Sequence, residues 1–79
     1  MRAKKNFVVV AYDIADNRRR SKIVKILQKY GTRINLSVFE CMVTDTQHEQ
    51  MMKDVLAKID PKEDTVAYYP VCVKGCSIN

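Results

Sequence analysis

The hydrophobic spacing of this chain switches repeatedly between a strand period and a helix period, and that alternation restricts the fold more than any other feature. Asn6-Phe7-Val8-Val9-Val10-Ala11-Tyr12 is a continuous β-favouring run, the pattern of a strand buried on both faces. Asp13 to Asn17 holds turn and capping residues, with Asp16 or Asn17 the expected cap. From about Arg18 to Tyr30, the residues Ile23, Ile26, Leu27 and Tyr30 recur at i, i+3, i+4 and i+7, one face of a helix. Gly31 suits the left-handed position that ends helices. Thr32 to Val43 then alternates, with Ile34, Leu36 and Val38 on one side and Arg33, Asn35, Ser37 and Phe39 on the other. That stretch is long for one strand, so it predicts two strands joined by a tight turn or bulge near Val38 to Glu40.

Thr46-Gln47-His48-Glu49 reads as a capping box opening a second helix. That helix runs to about Ile59, with Met52, Val55, Leu56 and Ile59 at helical spacing and His48 facing solvent, and Asp60-Pro61 stops it. Thr65 to Val73 is the last strand, and Pro70 within it predicts a sheet edge. The order is β-α-β-β-α-β. Two right-handed crossovers of that kind give a ferredoxin-like α+β domain, a four-stranded antiparallel sheet with both helices on one face. The fold hosts many chemistries and decides none of them.

The 79 residues are expected to form one domain over 1–79. A chain this short buries only about 60% of the surface it exposes when unfolded, which makes a second subunit useful. The net charge of +5, from 14 Lys+Arg against 9 Asp+Glu, suits a polyanionic partner. Arg18-Arg19-Arg20-Ser21-Lys22 concentrates much of that charge. No run approaches the ~18 apolar residues of a membrane span, so the expected location is the cytoplasm. The 3 cysteines are Cys41, Cys72 and Cys76, an odd number that argues against a secreted disulfide framework. With only one C-x₃-C pair, they also argue against structural zinc.

Chemistry centres on Asp13. A carboxylate at the C-terminal end of a strand, before a helix, can face a cleft and hold a hard cation, although Asp is also an ordinary turn residue. Mg²⁺ uses one or two protein carboxylates and keeps waters for substrate phosphates. A two-fold dimer would bring a second Asp13, and Asp16 is the alternative second ligand. Arg18, Lys22, Lys25 and Lys29 form a cationic stripe that either tracks phosphates or is a solvated face. Arg33, Ser37 and Phe39 share one strand face, as a phosphate clamp, a hydroxyl and an aromatic, or as a plain half-exposed strand with Phe39 in the core. An RNA-recognition module of this topology is disfavoured, because Val38 to Thr44 lacks its aromatic element.

Val8-Val9-Val10-Ala11-Tyr12-Asp13-Ile14, Arg18-Arg19-Arg20, Lys29-Tyr30-Gly31, Ser37-Val38-Phe39-Glu40, Asp64 and Tyr69-Pro70 together resemble the CRISPR-associated endoribonuclease of the Cas-two type. The resemblance implies a homodimeric, Mg²⁺-dependent (Mn²⁺ possible) endonuclease acting on single-stranded RNA or double-stranded DNA. It implies a Cas-one type integrase as partner in spacer acquisition. It places the metal ligand on Asp13 and further site residues on Tyr12, Arg20, Arg33, Ser37 and Phe39; the basic run itself offers Arg18, Arg19 and Lys22 as nucleic-acid contacts. Family members often add a fifth, dimer-pairing strand, which is expected to be short, absent or truncated here at Gly75-Cys76-Ser77-Ile78-Asn79. Asn35 and Leu36 stand where the family frequently has Gln and a Lys or Tyr, a departure that bears on substrate contact. A non-catalytic DNA-binding scaffold of the integrase complex and a toxin-type ribonuclease of the same fold are the alternatives.

Overall fold

The computed structural model of the protein describes residues 5–71. Strand β1 (Asn6–Asp13), helix α1 (Asn17–Gln28), strands β2 (Gly31–Asn35) and β3 (Val38–Val43), helix α2 (Asp45–Leu56) and strand β4 (Thr65–Val71) follow the expected order. The sheet is antiparallel throughout, in the order β2-β3-β1-β4. This is the ferredoxin-like arrangement, and β4 with its Pro70 is an edge, where a missing N–H costs least.

One face of the sheet carries the core. Val8, Val10 and Tyr12 of β1 share it with Phe39, Cys41 and Val43 of β3, because Val8 pairs with Cys41 and Val10 with Phe39. Ile23 and Leu27 of α1 and Met51 and Val55 of α2 close over them. Burial raises the Cys41 thiol pKa, so the group behaves as a small apolar side chain. Among the described residues no helix covers the other face. Phe7, Val9 and Ala11 are only half-buried there, and Met42, Tyr69 and Val71 of the flanking strands are 50%, 57% and 41% exposed. The expectation that β1 is buried on both faces therefore holds for one face only.

Several boundaries differ from the sequence reading, each for a local reason. Helix α1 ends at Gln28 with Lys29 as its right-handed cap, and Gly31 opens β2 rather than terminating the helix. Gly31 is required by close approach: a Cβ there would lie 2.6 Å from Cys41 Cα and 2.8 Å from Glu40 C, with Glu40 O nearer still. The β2–β3 turn falls at Leu36-Ser37, ahead of the expected Val38–Glu40. A bulge between Arg33 and Asn35 shifts the register, and Asn35 Oδ1 accepts from Leu36 N at 2.7 Å, supplying turn chemistry without Gly or Pro. Ile34 and Leu36 are consequently exposed at 53% and 82% instead of forming an inward row.

Helix α2 starts earlier than expected. Thr44 is its cap, and Thr44 and Gln47 form the reciprocal box assigned to Thr46 and Glu49. The inward row of α2 is then Met51 and Val55, with Met52 and Leu56 exposed. His48 is half-buried rather than solvent-facing, with its ring 5.8 Å from that of Tyr68. Among the described residues no helix is long and apolar enough to cross a membrane. Cys72, Val73, Cys76 and the expected fifth strand lie outside the described residues.

Candidate active site at the end of the first strand

Alternation along β1 sends Tyr12 into the core and Asp13 to the helix-free face, where its carboxylate is exposed. A cavity of about 530 Å³ opens at this strand end, lined by Tyr12, Asp13 and Ile14 from β1 and its loop. Arg20 of α1 forms one wall, and Arg33, Leu36 and Ser37 of the β2–β3 hairpin form the other. Residues far apart in the chain thus place one carboxylate, two guanidinium groups and a hydroxyl around one space.

Tyr12 holds the hairpin tip against this space. Its backbone N donates to Ser37 O at 3.0 Å, and its hydroxyl donates to Leu36 O at 3.0 Å. Phe39 supports Tyr12 from below, with ring centroids 6.1 Å apart. Phe39 itself is fully buried and does not line the cavity, so of the two roles open to it the structure shows packing beneath Tyr12. Arg20 folds over the β1–α1 loop, with Nη2 donating to Ile14 O at 2.8 Å and Nη1 donating to Asn17 Oδ1.

The three residues expected to meet nucleic acid separate into two groups. Arg18 and Lys22 stand exposed on α1. Arg19 instead turns inward, with Nε 2.7 Å from Asp64 Oδ2 and Nη2 3.5 Å from Glu63 Oε1, so its charge is spent within the fold. The Arg19 guanidinium in turn holds the Asp64 carboxyl far below the usual carboxylate range. Asp16 serves as the α1 cap, accepting from Arg19 N at 3.0 Å, and that hydrogen bond lowers its pKa. Its Oδ2 is thus taken by the helix, and Asp16 is not among the residues that line the Asp13 cavity. In the sequence Asp64 stands only among the residues of the resemblance, without a role, because Arg19 and Ala15, which it holds, lie 45 and 49 residues away and no local pattern marks them.

A second cavity, of about 450 Å³, shares Arg20 and Arg33 with the first and continues between α1 and β2 past Ser21, Lys25 and Gln28. It is cationic along its length.

The donor set at Asp13 is hard oxygen, a carboxylate beside the Ser37 hydroxyl, which matches Mg²⁺ or Mn²⁺ rather than a soft metal. Among the described residues no three His, Cys, Asp or Glu side chains gather into one metal-binding group. Among the described residues that line the cavity, Asp13 is the single carboxylate, within the one or two that Mg²⁺ accepts from protein.

A family model described as CRISPR associated protein Cas2 matches residues 6–77. The chain belongs to the Cas2 family. Among curated relatives, a CRISPR-associated endoribonuclease Cas2 of Rhodospirillum rubrum is 40% identical over 67 residues, covering 85% of this chain and 54% of that protein. A CRISPR-associated endonuclease Cas2 of Thermus thermophilus is 39% identical, covering 85% of this chain and 74% of the relative. The chain spans about half the length of the first of these relatives. The crystal structure of Streptococcus pyogenes Cas2 superposes with a TM-score of 0.80 at 30% identity, covering 87% of this chain and 88% of that one. A hypothetical protein of Thermus thermophilus superposes with a TM-score of 0.86 at 34% identity, covering 96% and 93%. The sheet order and paired helices described above are thus those of Cas2 structures.

Proposed function

We propose that this Cas2-family protein is a metal-dependent endonuclease that cleaves phosphodiester bonds of RNA or DNA as a homodimer, working in spacer acquisition beside a Cas-one type integrase. The observation that carries the reading is the cavity in which exposed Asp13 meets Arg20, Arg33 and Ser37. The names of the relatives, endoribonuclease and endonuclease, support the same class.

Hydrolysis forms a bond from water oxygen to phosphorus and breaks one ester P–O bond, the departing oxygen taking a proton. Arg20 and Arg33 neutralise the phosphate and the charge that grows on it, which is where fixed cations lower a barrier most. Ser37 donates a hydrogen bond to a non-bridging oxygen, and Tyr12 keeps the hairpin that carries Ser37 in place. Asp13 is the residue that would hold Mg²⁺ or Mn²⁺; the ion, when bound, supplies Lewis-acid polarisation and a more acidic bound water.

The dimer reading follows from the helix-free sheet face. Phe7, Val9, Met42, Tyr69 and Val71 make it largely apolar, with Glu40 beside Val9 and Asp13 at its end. Two such faces stacked about a two-fold axis would cover one another and bring two Asp13 carboxylates toward that axis. This completes a site for which one chain supplies a single acid.

A Mg²⁺-titrated cleavage assay on single-stranded RNA and double-stranded DNA tests the proposal. Wild type cleaves, while Asp13→Ala and chelated protein do not; full cleavage by folded Asp13→Ala would sink it. A second reading, the non-catalytic scaffold, is favoured by the single acid among the described residues lining the cavity and by exposed Arg18 and Lys22. It predicts DNA binding without hydrolysis, with the salt dependence reduced by about two phosphate contacts per DNA-bound subunit in the Arg18→Ala, Lys22→Ala variant.

A further inference from the structure

The loop that leaves Asp13 is fastened to a distant loop by one carboxylate. The Asp64 side chain is wholly shielded from solvent. Its Oδ1 accepts from Ala15 N at 3.0 Å and from Arg19 Nη2 at 3.2 Å. Its Oδ2 accepts from Arg19 Nε at 2.7 Å and from Asp60 N at 2.8 Å. A carboxylate has about four acceptor positions, and here they are all engaged, so Asp64 has none left for a cation or a substrate proton.

These bonds converge on the backbone around Asp13. Ala15, two residues further on, is held directly by the carboxylate. Thr65, next to Asp64 in the chain, is the β4 partner of Asp13 in the sheet register. Arg19 precedes Arg20, whose guanidinium closes over Ile14 O at 2.8 Å. Helix α1 has no acidic residue in its first turn, where the dipole favours negative charge; Asp64 brings one from outside, alongside the Asp16 cap. Burying a carboxylate is costly without such partners, and the bidentate guanidinium contact fixes orientation as well as distance.

We propose that Asp64 is a positioning residue for the Asp13 carboxylate, acting through Ala15 and Arg19; the assignment rests on the endonuclease reading of Asp13. Reacting groups must be held to within about 0.5 Å, and a misplacement near 1 Å costs on the order of 100-fold in rate. Asp64 is placed to set that tolerance from 51 residues away in sequence.

Asp64→Asn keeps the shape but exchanges one acceptor oxygen for an amide that meets a donor already there. In folded Asp64→Asn protein, verified by circular dichroism, kcat should fall at least about 10-fold while KM for single-stranded RNA stays within about 2-fold, because Arg20 and Arg33 still bind phosphate. Independently of cleavage, Mn²⁺ titration followed by paramagnetic broadening of the Asp13 NMR signals should show about 10-fold weaker binding. Should Asp64→Asn fail to fold, Arg19→Lys, which keeps the charge and loses the fork, carries the same two measurements. Wild-type kcat and Mn²⁺ affinity in a folded variant overturn the positioning role alone, as does a change confined to KM. A wild-type protein that neither cleaves nor shows Mn²⁺ broadening at Asp13 overturns the endonuclease reading and this one with it.

Discussion

Replacing Phe39 separates a packing role from a substrate contact. The ring is fully buried, between the β1 core residues and the Tyr12 ring 6.1 Å away. A Phe side chain removes about 150–250 Å² from water, which at roughly 25 cal/mol per Å² corresponds to about 4–6 kcal/mol. Part of that remains with the Ala methyl, and measured Phe→Ala costs in cores are about 3–5 kcal/mol. A domain of this length has a total stability of about 4–12 kcal/mol, at roughly 0.05–0.15 kcal/mol per residue. Phe39→Ala is therefore expected to leave little folded protein, whereas Phe39→Leu should cost about 1–2 kcal/mol and fold. Urea denaturation of Phe39→Leu should show a lower midpoint with an unchanged slope. Cleavage by the folded variant should keep its KM and lose at most a few-fold in kcat, through the loosened Tyr12 ring. A variant with a wild-type midpoint and a 10-fold loss of cleavage would refute the packing assignment and return the ring to the substrate.

Other substitutions probe the frame that carries the site. Gly31→Ala must push β2 from β3 at Glu40 and Cys41, so it should destabilise by about 1–3 kcal/mol and weaken nucleic-acid binding through displaced Arg33; a neutral melt would exclude the clash. Thr44→Ala removes the hydroxyl that accepts from Gln47 N and leaves the Thr44 N bond to Gln47 Oε1, and its urea midpoint should fall by the equivalent of about 1 kcal/mol without any effect on cleavage per folded molecule. Acid should unfold the protein partly through Asp64. Its folded pKa lies far below the unfolded value near 3.9, so its contribution is complete above about pH 4 and is lost as pH falls toward the folded pKa. Urea midpoints measured from pH 6 to pH 2 should therefore drop less steeply below pH 4 in Asp64→Asn than in wild type, and parallel curves would contradict the ion pair.

The order of elements, the edge position of β4, a cap at Asp16 or Asn17 and the place of Asp13 at the end of β1 were legible in the chain because each rests on local chemistry: hydrophobic period, a proline, a capping side chain, a strand giving way to turn residues. Element boundaries were less legible. Thr44-Gln47 and Thr46-Glu49 both satisfy the capping pattern, and only the end of β3 at Val43 selects the first. The same holds for the hairpin, where the bulge between Arg33 and Asn35 turns Leu36 outward against its alternation.

Sequence alone determined that two helices would cover one side of an antiparallel sheet and that an acid would end the first strand, since period and propensity act over a few residues. It could not say which cations face solvent. Arg18, Arg19 and Arg20 are neighbours of identical chemistry, yet one is exposed, one is half-buried and paired with Asp64, and one closes over the site. Their directions differ by about 100° per residue around the helix, and what each direction meets was settled only by the packing of loops some 45 residues apart.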